Sequence, residues 1–191
     1  MSISIYSDHL PEMEQIRDRL LEDIEAIRKD MTEQTGMDPV EHLLARIKSE
    51  ESMREKCRRK GLPETTETAL FVLHDAIGIR IVCSFLQDVF TMRDRLTQEY
   101  PVIEEKDYIR HAKPNGYRSL HLILRCGAYP VEIQLRTISM DMWAALEHHL
   151  KYKKTLHGNT ALLAEELKRC ADELASTDIS MQTLRDMILE E

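Results

Sequence analysis

Apolar residues take every second position in two neighbouring stretches, SLHLILR (Ser119–Arg125) and VEIQLRT (Val131–Thr137). Such alternation fits a strand, because successive side chains on a strand point to opposite faces. Leu120, Leu122 and Leu124 would face a core together with Val131, Ile133 and Leu135, with a hairpin turn near Gly127 between them. The other face would carry Ser119, His121, Ile123 and Arg125 beside Glu132, Gln134 and Arg136. A chain built this way must form a sheet with one apolar side and one side rich in chemistry. The preceding turn, Lys113-Pro114-Asn115-Gly116, runs straight into Tyr117 and would hold that ring at the mouth of the sheet, free to stack on something flat.

A third stretch alternates in the same way. IGIRIVCSF predicts a strand with Ile77, Ile79, Ile81, Cys83 and Phe85 on the core side and Gly78, Arg80, Val82 and Ser84 on the other. Asp75 stands just before it, a common place for a metal-binding carboxylate. His74-Asp75 also invites a metal phosphohydrolase reading, but His9, His42 and His111 lie in no frame that would complete a metal shell.

The segment Glu41–Gly61 is rich in cations. Were it all helix, Arg46 and Lys48 would lie about 200° apart and could not share a ligand. As a strand from Glu41 to Lys48 it puts both on one face. Ser49 would then cap a helix from Glu50 to Lys60, with Ser52, Lys56 and Arg59 on one side, ended by Gly61-Leu62-Pro63. Arg46, Lys48, Ser52, Lys56 and Arg59 converge on one region, a donor set suited to a triphosphate. No GxxxxGK[ST] loop is present, which excludes a P-loop enzyme.

Helical spacing predicts further helices: Pro11–Met31 on a stripe of Met13, Ile16, Leu20, Ile24, Ile27 and Met31, a short one over Glu67–Leu73, and Gln87–Tyr100. Another would run from Ser139, as its cap, to Lys153, and a last one over Thr160–Glu190 with the spacing of a packing or oligomerisation helix. Pro101–Ile109 reads as a strand carrying Lys106. The chain divides into an N-terminal helix (1–37), a catalytic core (38–155) and a C-terminal helix (156–191).

The formal net charge of −8 is a poor match to general nucleic-acid binding but leaves room for a local basic pocket. Four cysteines at 57, 83, 126 and 170, with no CxxC, fit a reducing compartment and neither a disulfide frame nor structural zinc. The N-terminus lacks the pattern of a signal peptide, and no apolar run approaches the ~18 residues of a membrane span, so a cytoplasmic protein without a membrane partner is expected.

The stretches ARIKSEESMREKCRRKG, HDAIGIRIVCSF, EKDYIRHAKPNGYRSLHL, VEIQLRT and MDMWAALEHHLKYK, in this order, resemble the alarmone synthetase domain of the RelA/SpoT family, most closely its small single-domain members. The resemblance implies an α/β fold of nucleotidyltransferase type, a mixed sheet flanked by helices. It implies transfer of the β,γ-pyrophosphate of ATP to the 3′-hydroxyl of GDP or GTP, with Mg2+ as cofactor. Asp75 would hold the metal, and Glu132 would help hold it or act as base. Arg46 and Arg80 would flank the adenine, and Lys48, Ser52, Lys56 and Arg59 would grip its phosphates. Tyr117 would stack on guanine, with Lys106, Lys113, His121, Gln134 and Asp141 also on the acceptor nucleotide. Asp141 departs from the pattern, because close relatives tend to have Asn there. Small members form tetramers through terminal helices, so a homotetramer with no stable nucleic-acid partner is implied. The rivals are a toxin branch that pyrophosphorylates the 3′ end of tRNA, a non-catalytic nucleotide sensor and a helical scaffold.

Overall fold

The computed structural model describes residues 4–152 and 160–190. Helix α1 (Leu10–Thr35) leads into strand β1 (Val40–Ile47) and helix α2 (Glu50–Lys60). A π-helical segment, Thr68–Val72, precedes strand β2 (Ile77–Cys83), and helix α3 (Leu86–Glu99) follows. Strands β3 (Val102–Asp107), β4 (Leu120–Cys126) and β5 (Tyr129–Thr137) come next, then helices α4 (Ile138–Tyr152) and α5 (Thr160–Leu189). The strands form one sheet in the order β1-β2-β5-β4-β3. Only β2 and β5 pair in parallel; the other neighbours are antiparallel. The fold is thus α/β, a mixed sheet flanked by helices.

Local chemistry explains where the elements start and stop. Pro11 opens α1, and Gly36 closes it in the left-handed conformation (φ 72°), its N–H donating to the Thr32 carbonyl. The apolar stripe of α1 is buried at Met13, Leu20, Ile24, Ile27 and Met31, and α1 and α3 pack on the apolar side of the sheet. Ser49 caps α2, its hydroxyl accepting from the Ser52 N–H at 3.3 Å. Glu50 and Glu51 at the first turn and Arg58, Arg59 and Lys60 at the last complement the helix dipole.

Four expectations need correction. β2 stops at Cys83, and Phe85 leaves the sheet to start α3, its N–H donating to the Asp88 carboxylate at 3.1 Å. The turn before β2 is π-helical, with the Leu73 N–H reaching the Thr68 carbonyl. Thr137, not Ser139, caps α4: its hydroxyl accepts from the Met140 N–H at 3.2 Å, while the Ser139 hydroxyl donates to Asp178. Val82 and Ile123 lie on the polar side by alternation yet are buried, and α4 packs over β2 and β5 on that side. The helix end expected at Lys153 and the boundary expected at 155/156 lie outside the described residues.

Helix α5 braces the sheet's polar side. The Trp143 indole N–H donates to the Leu167 carbonyl (2.8 Å), and the Thr137 and Ser139 hydroxyls both donate to Asp178 (2.7 Å). Arg185 forms a buried ion pair with Asp88 of α3 at 2.8 Å. Arg118, beside Tyr117, donates to Asp172 (3.2 Å). Gly116 has φ 91°, and a methyl there would lie 2.6 Å from the Ala171 Cβ. The turn therefore touches the helix backbone to backbone, which only glycine permits. Gly116→Ala is expected to destabilise the protein by about 2–4 kcal/mol in chemical denaturation, from backbone strain plus overpacking.

Candidate active site

Strand register lays the polar side out in two rows. Cross-strand partners share a face, so Leu44, Arg80, Gln134, His121 and Lys106 form one row across all five strands. Arg46, Gly78, Glu132, Ile123 and Glu104 form the row beside it. Gly78 carries no side chain, and a Cβ built on it would meet nothing within 4 Å. The gap it leaves opens a cavity of about 280 Å3 whose polar lining is Arg46, Lys48, Asp75, Arg80, Glu132 and Gln134.

At one end of this cavity Lys48 and Lys56 converge on Asp75. Lys48 reaches it from the end of β1 and Lys56 from α2, the latter at 2.6 Å. Ser52 and Arg59 lie on the Lys56 side of α2, one turn away in each direction, but both are exposed and neither lines the cavity. Glu132 accepts from the Gln134 amide at 2.9 Å, and the His121 imidazole stands 3.6 Å away. Burial pushes the Glu132 carboxyl up, but His121, Gln134 and the charge of Lys56 more than offset this and lower it to about 2. Glu132 is therefore ionised at neutral pH.

The other half of the site is organised by Arg136, which sequence reasoning put on this face without a role. Its guanidinium is buried and donates to the Tyr117 hydroxyl (2.7 Å), Gln134 Oε1 (3.2 Å), Asp141 (3.0 Å) and the Ser119 hydroxyl (3.4 Å). The Tyr117 hydroxyl also meets His121 Nε2 at 2.8 Å. Lys113 places its ammonium over the rings of Tyr108 (4.4 Å) and Tyr117 (4.8 Å). Lys106, on the edge strand, is exposed and paired with Glu104 at 2.8 Å.

Asp141 joins the two halves. It pairs with Arg136, with Arg80 at 3.3 Å and with His42 at 3.6 Å. Burial and the nearby Arg136 charge lower the pKa of Arg80 below the usual guanidinium range, and Asp141 opposes that shift. Tyr108 was passed over in the sequence, and His42 was weighed there only as a metal ligand. His42 stands four residues before Arg46 on β1, so parity alone placed it on the same face.

Residues 45–157 of the sequence match one family model, "Region found in RelA / SpoT proteins". The chain belongs to the RelA/SpoT family. Among its relatives, GTP pyrophosphokinase YwaC of Bacillus subtilis is 42% identical over 147 residues, covering 72% of this chain and 70% of that protein. The small alarmone synthetase 2 of the same organism superposes with a TM-score of 0.79 at 35% identity, over 95% of this chain and all (100%) of that one. The small alarmone synthetase 1 of B. subtilis, solved with its product pppGpp, superposes with a TM-score of 0.77 at 29% identity, over 92% and 94%. Both RelA/SpoT-family structures superpose over nearly the whole chain, so they share its mixed α/β fold.

In this RelA/SpoT chain the open slot at Gly78 is itself a test of the cavity. Gly78→Leu is expected to fold, with a stability change of about 1 kcal/mol or less, because its side chain would enter open space. Calorimetry should then show binding of a non-hydrolysable ATP analogue weakened at least about tenfold, roughly 1.4 kcal/mol.

Proposed function

We propose that this chain is a small alarmone synthetase that moves the β,γ-pyrophosphate of ATP to the 3′-hydroxyl of GDP or GTP, yielding (p)ppGpp and AMP. The observation that carries the reading is the position of Glu132. It lines the cationic cavity and is hydrogen-bonded to Gln134, the residue that also receives Arg136 from the Tyr117 side. One carboxylate therefore stands where a donor and an acceptor would meet.

On the donor side, Arg46 and Arg80 flank the adenine, which planar guanidinium groups can do. Lys48 and Lys56 hold the phosphates, with Ser52 and Arg59 further along the same helix. On the acceptor side, Tyr117 stacks on guanine, its phenol held by Arg136 and His121. Lys106, Lys113, His121 and Gln134 contact the acceptor nucleotide. Asp141 takes part by fixing Arg136 and Arg80, and its carboxylate can accept from the guanine edge.

The donor set fits magnesium. Asp75 Oδ1 is buried and has no hydrogen-bond partner. Among the described residues no group of three His, Cys, Asp or Glu gathers as a metal cage. Magnesium instead favours one or two carboxylates completed by substrate phosphates and water. Asp75 and Glu132 would hold it, and when bound it neutralises charge on the transferred group. Glu132 is ionised, the state required both to bind a metal and to accept the proton of the 3′-hydroxyl. The surrounding cations stabilise charge on the phosphoryl oxygens, and the two stacked bases orient attack in line.

The assay is transfer of label from γ-labelled ATP with magnesium to GDP, GTP or tRNA. Label is expected on GDP or GTP, and Glu132→Gln is expected to lower the rate at least about 10²-fold. Label on tRNA alone would move the chain to the toxin branch, and no transfer with nucleotide still bound would leave a sensor.

We also assign the outer face of α5 to a homotetramer contact in the cytoplasm. Ile179, Met181, Leu184, Met187 and Ile188 are exposed along it, a patch that favours association. Light scattering should give four times the chain mass of 22.3 kDa, and Leu184→Glu/Ile188→Glu should reduce it.

A further inference from the structure

Asp75 is the residue assigned above to magnesium, yet one of its oxygens is already shared by two ammonium groups. Oδ2 accepts from Lys48 and from Lys56, the latter at 2.6 Å. All three side chains are largely buried, with exposures of 16% for Lys48, 18% for Lys56 and 12% for Asp75. The arrangement is fixed by the backbone. The Lys48 N–H donates to the Ala76 carbonyl at 2.8 Å, which pins Lys48 beside Asp75. Lys56 is held on a helix whose start is capped by Ser49.

A magnesium ion binds carboxylate oxygen at about 2.0–2.1 Å. The unpartnered Oδ1 belongs to the same carboxylate, so an ion on either oxygen would stand close to both ammonium groups, and that like-charge repulsion favours their withdrawal as it settles. Withdrawal leaves two partly buried cations without a counter-ion, which is unfavourable unless other anions receive them. The cavity lining supplies too few: Arg46, Lys48, Arg80 and the adjoining Lys56 outnumber Asp75 and Glu132, and Glu132 is itself assigned to the metal. A lone divalent cation meets a site that is already positive. A triphosphate brings the missing anions, and lysine ammonium groups are natural phosphate partners.

We propose that Lys48 and Lys56 serve as exchangeable counter-ions of Asp75, so that the site takes a divalent cation together with a nucleoside triphosphate and rejects the cation alone. The proposal rests on Asp75 being the metal ligand. It makes the two lysines selectivity residues for the metal–nucleotide complex as well as phosphate binders. Metal and nucleotide then raise each other's affinity by one common factor.

The test uses manganese as the probe, with free Mn2+ followed by electron paramagnetic resonance. Wild type, Lys48→Gln/Lys56→Gln, the same pair with Asp75→Asn, and Asp75→Asn alone are titrated with and without α,β-methylene-ATP. Without nucleotide, wild type should bind Mn2+ weakly and the lysine double variant at least about fivefold more tightly, within the usual range of ligand coupling. Asp75→Asn should remove that gain. Should the double variant fail to fold by circular dichroism, Lys56→Gln alone is expected to show a smaller gain in the same direction. Equal Mn2+ affinity in wild type and the lysine variants would overturn the proposal. Equal Mn2+ retention by wild type and Asp75→Asn with the analogue present would remove Asp75 as a metal ligand, and would overturn it by that separate route.

Discussion

The parallel pairing of β2 with β5 is the constraint on which the rest of the molecule depends. Parallel neighbours cannot be joined by a tight turn, so the chain must leave the sheet after β2 and return. Helix α3, β3 and β4 fill that excursion. The return sets Ile77 opposite Val131 and Gly78 opposite Glu132. Asp75, just ahead of β2, and Glu132, early in β5, thereby come to line one cavity although 57 positions apart in the numbering of the chain. The antiparallel additions on either side then extend the same rows, with the Arg46-bearing β1 on one flank and the His121-bearing hairpin on the other.

Charge balance under α4 does for the guanidinium groups what the strand pairing does for the carboxylates. Arg136 is 5% exposed and close enough to Arg80 to disfavour the charge on that guanidinium. A buried cation of this kind is tolerable only when its donors are satisfied and an anion is near. Asp141 supplies that anion for both, and Tyr117, Gln134 and Ser119 take the remaining Arg136 donors. An amide at 141 could accept from either arginine but could not neutralise them. The carboxylate at this position thus has an electrostatic role internal to the protein before it concerns any ligand.

Much of this arrangement was legible in the sequence because strand parity is a strong rule. Alternation alone separated Leu120, Leu122 and Leu124 from His121, and Val131, Ile133 and Leu135 from Glu132 and Gln134. The break at Ser49 was legible for a geometric reason, since one continuous helix would have divided Arg46 from Lys48. Parity tells which face a residue occupies, however, and not what covers that face. Val82 and Ile123 were assigned to the face opposite the core, and tertiary packing buries them there. Arg136 had a face but no partners, because Asp141 and Tyr117 reach it only through the fold. The cap at Thr137 was missed for a similar reason: Ser139 is an equally good residue for the role, but Asp178 of α5, far along the chain, engages its hydroxyl. Helix α5 showed a stripe of apolar residues and gave no local sign of the polar side chains that brace α4 and the Tyr117 turn.

The sheet ends on β3, whose outward sequence Glu104, Glu105, Lys106 and Asp107 is charged at every position. An edge strand offers unpaired backbone groups to any extended segment that meets it, and charge is a common way to discourage that encounter. Lys106 therefore belongs to two systems. It shares a row with His121 and Gln134, and it also guards the rim against a sixth strand from another molecule. An apolar residue there would alter colloidal behaviour along with any ligand contact, so loss of activity on its replacement has to be separated from self-association.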